Sequence, residues 1–292
     1  MDNGEPRFPS MWRKMSLTPH DYGWADAGGI RTRYVHAGAK GAPALIMLPG
    51  TAGTIETFYP SIPAHAEHFN VYAIDMLGSG FTDKPDHDYE IHHYVEHLKN
   101  FMVAVGLRRA SLFGVSLGSW AAARFAIIHP ELVEKLTLVS VAGMTANAET
   151  MKRVASGRSG AADDPSWKNI RAIFDVLVYD EKNRVTDIMA MRQAAYQQPE
   201  MKQAMQHILC LQKMDIRQRN LIREEEWRRI TAPTLVVGSK NDRETDHDKV
   251  AMVGGWMPNA KTVMMEGVGH WPHLEAADAF NALNIGFLRG TA

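Results

Sequence analysis

A serine at position 116 stands in Gly114-Val115-Ser116-Leu117-Gly118, directly after the apolar run Ala110 to Val115 and before the helix-patterned SWAAARFAIIHP. That context puts a G-x-S-x-G at a strand-to-helix turn, where small residues two positions either side tolerate a strained backbone and the hydroxyl is lifted to a helix N-terminus. Ser116 is therefore the candidate nucleophile; the plainer alternative is a tight turn with a helix-capping serine. A serine hydroxyl attacks poorly unless a histidine removes its proton and a carboxylate orients that histidine. Asp242 follows the run TLVVG in VGSKNDRETD, and His270 follows the next apolar run in MMEGVGHWPH. Loops at the C-terminal ends of parallel strands share one edge of the sheet, so residues in the order Ser, Asp, His can converge there.

Each choice has rivals. Asp246 and Asp248 compete with Asp242, whose plain role would be to cap a helix starting near Thr245. His270 is one of 13 histidines; its GVGHW setting sets it apart from His87, His92, His93 and His97, which read as surface-helix residues, and from His273, which follows Pro272 and reads as structural. The charge that develops on an attacked carbonyl needs two backbone N–H donors. Leu117 offers one, and the small-residue loop Pro49-Gly50-Thr51-Ala52-Gly53-Thr54 offers the other, at Thr51. That loop lacks the spacing of a phosphate cradle, so nucleotide binding is not expected. The adjacent His92-His93 face different ways on a helix, and His65-x-x-His68 offers only two ligands, so neither metal nor cofactor is expected.

The elements that must position these residues alternate. Buried strands are expected over Ala44 to Leu48, Val71 to Asp75, Ala110 to Val115, Lys135 to Val141, Thr234 to Gly238 and Thr262 to Met265, with an edge hairpin from Tyr22 to His36 around Gly28-Gly29. Helical spacing marks Ser61 to Glu67, Tyr89 to Val105, Leu117 to His129, Thr245 to Trp256 and Ala276 to Leu288. This is the pattern of an α/β fold, a mostly parallel sheet flanked by helices. The rhythm breaks after Gly143, and 144–230 reads as a helical cap inserted after the sixth strand into a core of 1–143 and 231–292. Within it, Ser156 to Ser166 (SGRSGAADDPS) reads as a flexible connection. Phe174, Leu177, Met189 and Trp227 are expected to roof the site.

Composition sets bounds. With 292 residues and 45% hydrophobic content the chain can bury a full core and a further layer, and a formal charge of -1 gives no field favouring nucleic acid or an anionic membrane. A small organic substrate is the expected partner. The single Cys210 forms no internal disulfide, and the N-terminal residues lack the apolar run of a signal peptide or membrane span, which together predict a cytoplasmic protein.

The PGTAGT loop, IDMLGSGFTDKP, GVSLG, the Asp242 loop and GVGHWPHLEAADAFNALNIGFL together resemble the α/β-hydrolase superfamily, over about Ala44 to Val141 and Ala232 to Leu288. Within it the chain is similar to meta-cleavage-product hydrolases, which split carbon–carbon bonds in 2-hydroxy-6-oxo-dienoates from catechol ring-opening. The likeness lies in GHW followed by an acidic helix ending in Phe-Leu. It departs from that family's usual G-N-S-M-G elbow and H-G-G-type loop, with Val115 and Pro49 at those places. The resemblance implies that Trp271 shapes the pocket and that a cap arginine, Arg192, binds the substrate carboxylate, with Arg171 or Arg184 as rivals; Phe174 of the cap and Gly50 of the small-residue loop are further expected substrate contacts. It also implies ketonisation of the dienol, addition of Ser116 or water to the 6-oxo carbonyl, and expulsion of a dienolate, with His270 moving the protons. A carboxylesterase or lactonase with the same triad, and a ligand receptor on this fold, remain as alternatives. An aspartate-nucleophile dehalogenase or epoxide hydrolase does not, because the elbow residue is serine. The resemblance allows a homo-oligomer, on which composition is silent.

Overall fold

Runs such as ALIML, ASLFGV and TLVVGS have no polar face to turn to water, so they pair side by side and are covered on both sides. A computed structural model describes residues 10–245 and 247–291 of the chain. Its strands are β1 (His20–Asp26), β2 (Arg31–Ala37), β3 (Ala44–Leu48), β4 (Asn70–Ile74), β5 (Ala110–Val115), β6 (Val133–Val139), β7 (Thr234–Ser239) and β8 (Ala260–Met265). They form one sheet in the order β1-β2-β4-β3-β5-β6-β7-β8. The β1–β2 hairpin joins antiparallel through β2 and β4, and every later pair is parallel. β3, β4, β5 and β7 are buried along their whole length, whereas the edge strand β1 is half-exposed.

Helices α1 (Trp12–Met15), α2 (Ile62–Ala66), α3 (Ile91–Ala104) and α4 (Leu117–Ile128) precede β6. Between β6 and β7 come α5 (Ala148–Asp163), α6 (Trp167–Leu177), α7 (Thr186–Tyr196), α8 (Met201–Ile208), α9 (Met214–Asn220) and α10 (Glu224–Trp227). The chain returns through α11 (His247–Trp256), α12 (Pro272–Glu275) and α13 (Ala277–Arg289). The segment after β6 is thus helical, in line with the pattern of its sequence, and the mostly parallel sheet flanked by helices is as expected. Among the described residues no helix is long and apolar enough to cross a membrane.

Two expectations are corrected. Most of the stretch Ser156 to Ser166 is not a loose connection but the C-terminal half of α5, where Arg158, Ala161 and Ala162 are buried. Packing of that face outweighs the turn preference of its glycines. His97 is not a surface residue: it is buried on α3 with Nε2 2.7 Å from the Thr32 hydroxyl, and burial pulls its imidazole down to about 4.

Candidate active site

The turn from β5 into α4 is held by backbone. Ser116 has φ 53 and ψ −117, a conformation a side-chain-bearing residue adopts only when its surroundings impose it. Its N–H donates to the Val139 carbonyl at 2.9 Å. A Cβ on Gly118 would overlap the Leu48 and Pro49 carbonyls, and one on Gly114 would overlap the Gly118 carbonyl, so both flanking positions require glycine. The turn is pinned again on its inner side, where the Ser119 hydroxyl donates to the Ser116 carbonyl at 2.6 Å and accepts from the Ala142 N–H at 3.1 Å.

His270 is delivered by the loop after β8. Its N–H donates to the Leu177 carbonyl and its carbonyl accepts from the Ser140 hydroxyl, each at 2.8 Å. Glu275 braces the same loop, accepting from the N–H groups of Gly269 (2.7 Å), Tyr179 (2.9 Å) and Asp180 (3.1 Å). The His270 Nδ1 lies 2.8 and 3.0 Å from the two carboxylate oxygens of Asp242, both side chains being buried. Asp242 Oδ1 also accepts from the N–H groups of Glu244 (2.8 Å) and Thr245 (3.2 Å), which lie before the start of α11, so it ties its own loop while it orients the imidazole. Burial alone would raise the Asp242 carboxyl, but attraction to His270 and these hydrogen bonds hold it below the ordinary aspartate value. Burial alone would lower the His270 imidazole; Asp242 and then Glu244 outweigh it and carry the ring above its ordinary value, against the opposing charge of Arg158.

Ser116 and His270 line two cavities in common. The outer one, about 220 Å³, is walled by Trp120, Met144, Met151, Ile208, Leu211 and Arg217; the inner one, about 10 Å³, by Gly50, Arg158, Leu177, Arg192 and Trp271. Thr51 and Glu244 also face both. Among the described residues no hydrogen bond joins the Ser116 hydroxyl to the imidazole, and no backbone hydrogen bond occupies the N–H of Thr51 or Leu117. The Thr51 loop is tied down from behind. Asp75 accepts from the Ile55 N–H at 2.8 Å, and Arg33 bridges Asp75 (3.2 Å) and Glu56 (2.6 Å). Burial raises the Asp75 carboxyl to about 6 against the pull of Arg33.

A family model for the alpha/beta hydrolase fold matches residues 43–277. The chain belongs to the α/β-hydrolase family. A 2-hydroxymuconate semialdehyde hydrolase of Pseudomonas putida is 27% identical over 269 residues, which are 90% of this chain and 92% of that protein. The solved structure of a 2-hydroxy-6-oxo-6-phenylhexa-2,4-dienoate hydrolase from Rhodococcus sp. strain RHA1 superposes with a TM-score of 0.82 at 22% identity, covering 93% of this chain and 99% of that one. A lipase described as putative, from Acinetobacter baumannii AYE, superposes with a TM-score of 0.84 at 20% identity, covering 99% of each. The fold is therefore common to both kinds of hydrolase, and the relatives in sequence include several named as hydrolases of 2-hydroxymuconate semialdehyde or of 2-hydroxy-6-oxo-dienoates.

In this α/β-hydrolase, Arg192 on α7 is buried, with Nε and Nη1 unpartnered, and stands 6.0 Å from the Trp271 ring and 5.8 Å from that of Tyr196. Its rivals lie elsewhere: Arg171 is exposed, and Arg184 pairs with Asp175 at 2.9 Å. Of the expected wall residues, only Leu177 lines either cavity. Phe174 stands behind the wall, its ring 5.3 Å from that of Trp271 and nearly perpendicular to it. Met189 and Trp227 are buried in the packing of their helices, because the apolar face of a helix points wherever its neighbours lie and spacing alone does not say which neighbours those are. His273 is fully buried among Phe58, Phe113 and Phe280, with both ring nitrogens unpartnered and its imidazole pulled down to about 3. Asp248 lies in the first turn of α11, and Asp246 falls outside the described residues.

Sequence reasoning passed over Arg158, Glu244 and Arg217. Glu244 is two residues beyond Asp242, and its acidic side chain beside an expected catalytic loop was the one signal available. Arg158 was hidden by the loop reading of its glycine-flanked segment.

Proposed function

We propose that this chain is a serine hydrolase that cleaves a carbon–carbon bond in a 2-hydroxy-6-oxo-dienoate-type ring-fission product, using Ser116, His270 and Asp242. The observation that carries the reading is Arg192. An arginine buried without a carboxylate is costly, and this one lines the inner cavity together with Ser116 and His270, where a substrate carboxylate would satisfy it through a two-pronged hydrogen bond. Arg192 marks the inner cavity as the side for the carboxylate end, and the outer cavity, about 220 Å³, has room for the fragment on the far side of the 6-oxo carbon. The names of the relatives in sequence support the same substrate class.

The steps use groups of this chain only. The dienol first shifts its 2-hydroxyl proton to C5, giving the 2,6-dioxo tautomer; His270 Nε2 then takes the proton of the Ser116 hydroxyl, or of a water held in its place, as the oxygen adds to the 6-oxo carbon. The resulting oxyanion is met by the N–H groups of Thr51 and Leu117. The C–C bond breaks with its electron pair leaving on the dienoate fragment as a dienolate, whose charge Arg192 offsets, and the imidazolium returns the proton. By the serine route, water then frees the acyl group from Ser116. The cap, 144–230, sets which fragments fit.

Turnover of a yellow 2-hydroxy-6-oxo-dienoate, followed by bleaching, is to be compared with turnover of short p-nitrophenyl esters. Faster dienoate cleavage supports this reading. Background-level bleaching with rapid ester turnover would transfer the site to an esterase or lactonase, and ligand binding without turnover of either would make it a receptor.

A further inference from the structure

Buried cations in proteins are paired with carboxylates, because desolvating an uncompensated charge costs several kcal/mol. Two buried arginines here obey that rule: Arg33 lies against Glu56 and Asp75, and Arg158 against Glu244 at 3.4 Å. Two arginines on the cavity walls, the buried Arg192 and the partly buried Arg217, do not, with no carboxylate within salt-bridge distance among the described residues. Arg192 faces the inner cavity, and Arg217, on α9, faces the outer one. Arg217 spends its Nε and Nη1 on the neutral carbonyls of Thr145 (2.7 Å) and Leu211 (3.3 Å), and its guanidinium carbon lies 5.1 Å from the Trp120 ring centre. Its Nη2 makes no hydrogen bond to a described residue. Burial alone pulls it down to about 10, with no anionic group acting against that. The other charges on the walls cancel or are engaged: Glu244 neutralises Arg158, and Lys249 has a partner of its own. Two uncompensated cations therefore remain, one in each cavity, and Ser116 and His270 line both cavities.

We propose that the substrate carries an anionic group at each end, one carboxylate bound by Arg192 in the inner cavity and a second by Arg217 in the outer cavity. This rests on the reading of Ser116 and His270 as the reacting centre. It narrows the substrate from dienoates in general to dianionic ones whose 6-acyl side ends in a carboxylate. Arg217 is then the residue that distinguishes an acidic tail from an alkyl or aryl one.

The test uses the full-length protein and two dienoates, one with a methyl group on the 6-oxo carbon and one with a short chain ending in a carboxylate. Wild type is expected to favour the acidic tail by about tenfold in kcat/KM, mostly through KM; Arg217→Gln reduces that ratio to about one, and Arg217→Lys keeps most of it because the charge remains. Titration calorimetry with nonanedioate and nonanoate reads the same preference without any bond cleavage. Tighter diacid binding, lost in Arg217→Gln, upholds the two-anion site even if neither dienoate is cleaved, which would sink the carbon–carbon reading alone. Dienoate cleavage with no tail preference, together with equal binding of the two acids, overturns the two-anion site alone and leaves Arg217 as a brace between α9 and the chain around Thr145.

Discussion

The edge of the sheet and the inserted helices face the same two cavities but hold their side chains there by different means. At the sheet edge the backbone does it: Ser116 is kept at positive φ, Gly118 packs directly on the Leu48 and Pro49 carbonyls, and His270 is fixed through its own N–H and C=O. The helices instead reach in with Arg158, Arg192 and Arg217, long side chains whose guanidinium groups are only partly satisfied. A side chain placed by over-determined backbone cannot drift without disturbing the fold, whereas one that reaches in from a helix can be exchanged alone. The first arrangement suits chemistry, which tolerates little misplacement, and the second suits selection among substrates.

The sharpest way to break this contrast is at Ser116. Ser116→Ala is expected to lower kcat on the dienoate by roughly 10³–10⁴ or more while shifting unfolding free energy by less than about 0.5 kcal/mol. Bleaching rates and urea unfolding on the same preparation check both halves. Activity within tenfold of wild type would remove serine from the chemistry. Gly118→Ala should do the reverse of a surgical change, since its Cβ has no room beside two backbone carbonyls. We expect a loss of roughly 2–4 kcal/mol in unfolding free energy, read by denaturant titration.

On the helical side the expected effects are smaller and substrate-dependent. Arg192→Gln removes a charged partner from the dienoate carboxylate only, so kcat/KM for the dienoate should fall by about 2 kcal/mol, roughly 30-fold, with a neutral ester losing less than about threefold. Equal losses on both substrates would make Arg192 a packing residue. Glu244 spans the two regions, one carboxylate oxygen 3.9 Å from His270 Nε2 and the group as a whole held by Arg158 of α5. The imidazole must be neutral to take a proton, so activity rises as pH climbs through its folded value, which stands above the ordinary 6.5. Glu244→Gln removes one of the charges that raise it and leaves Arg158 unopposed, and both changes act downward. The acid limb of kcat/KM should therefore move to lower pH. A limb that stays put or moves up would show that Glu244 does not bear on the imidazole.

The difference between the regions also explains what could be read from the sequence. The Ser116 elbow, Asp242 and His270 each follow an apolar run in a short loop, and a parallel sheet delivers such loops to one edge whatever the details of packing. The six strands and the edge hairpin were legible for the same reason, although the last, β8, expected to be buried, is the second edge of the sheet and is half-exposed. Nothing comparable marks a helix of the insertion, where the orientation of each face is set by neighbours distant in sequence. Phe174 was therefore placed one layer too close to the cavity, and Arg158 and Arg217 were not singled out at all. His97 was misjudged because its acidic and basic neighbours on α3 are exposed while its own position faces β2. Local composition reports the surface of a helix better than its contacts.

The smallest expected effect tests the largest misreading. Gly157 and Gly160 suggested a loose segment, yet both lie within α5 on its exposed side, and a Cβ built on either meets nothing within 4 Å. In a helix so placed, glycine is the unfavourable choice, because it leaves more freedom to the unfolded chain and gives nothing back through packing. Gly160→Ala should therefore raise unfolding free energy by about 0.5–1 kcal/mol, seen as a melting temperature higher by roughly 1–3 °C. A mobile loop would gain little from the same methyl group, and a turn needing a left-handed residue would lose stability. A decrease would thus mean that α5 does not form in solution as described, and Arg158 would lose the element that carries it to Glu244.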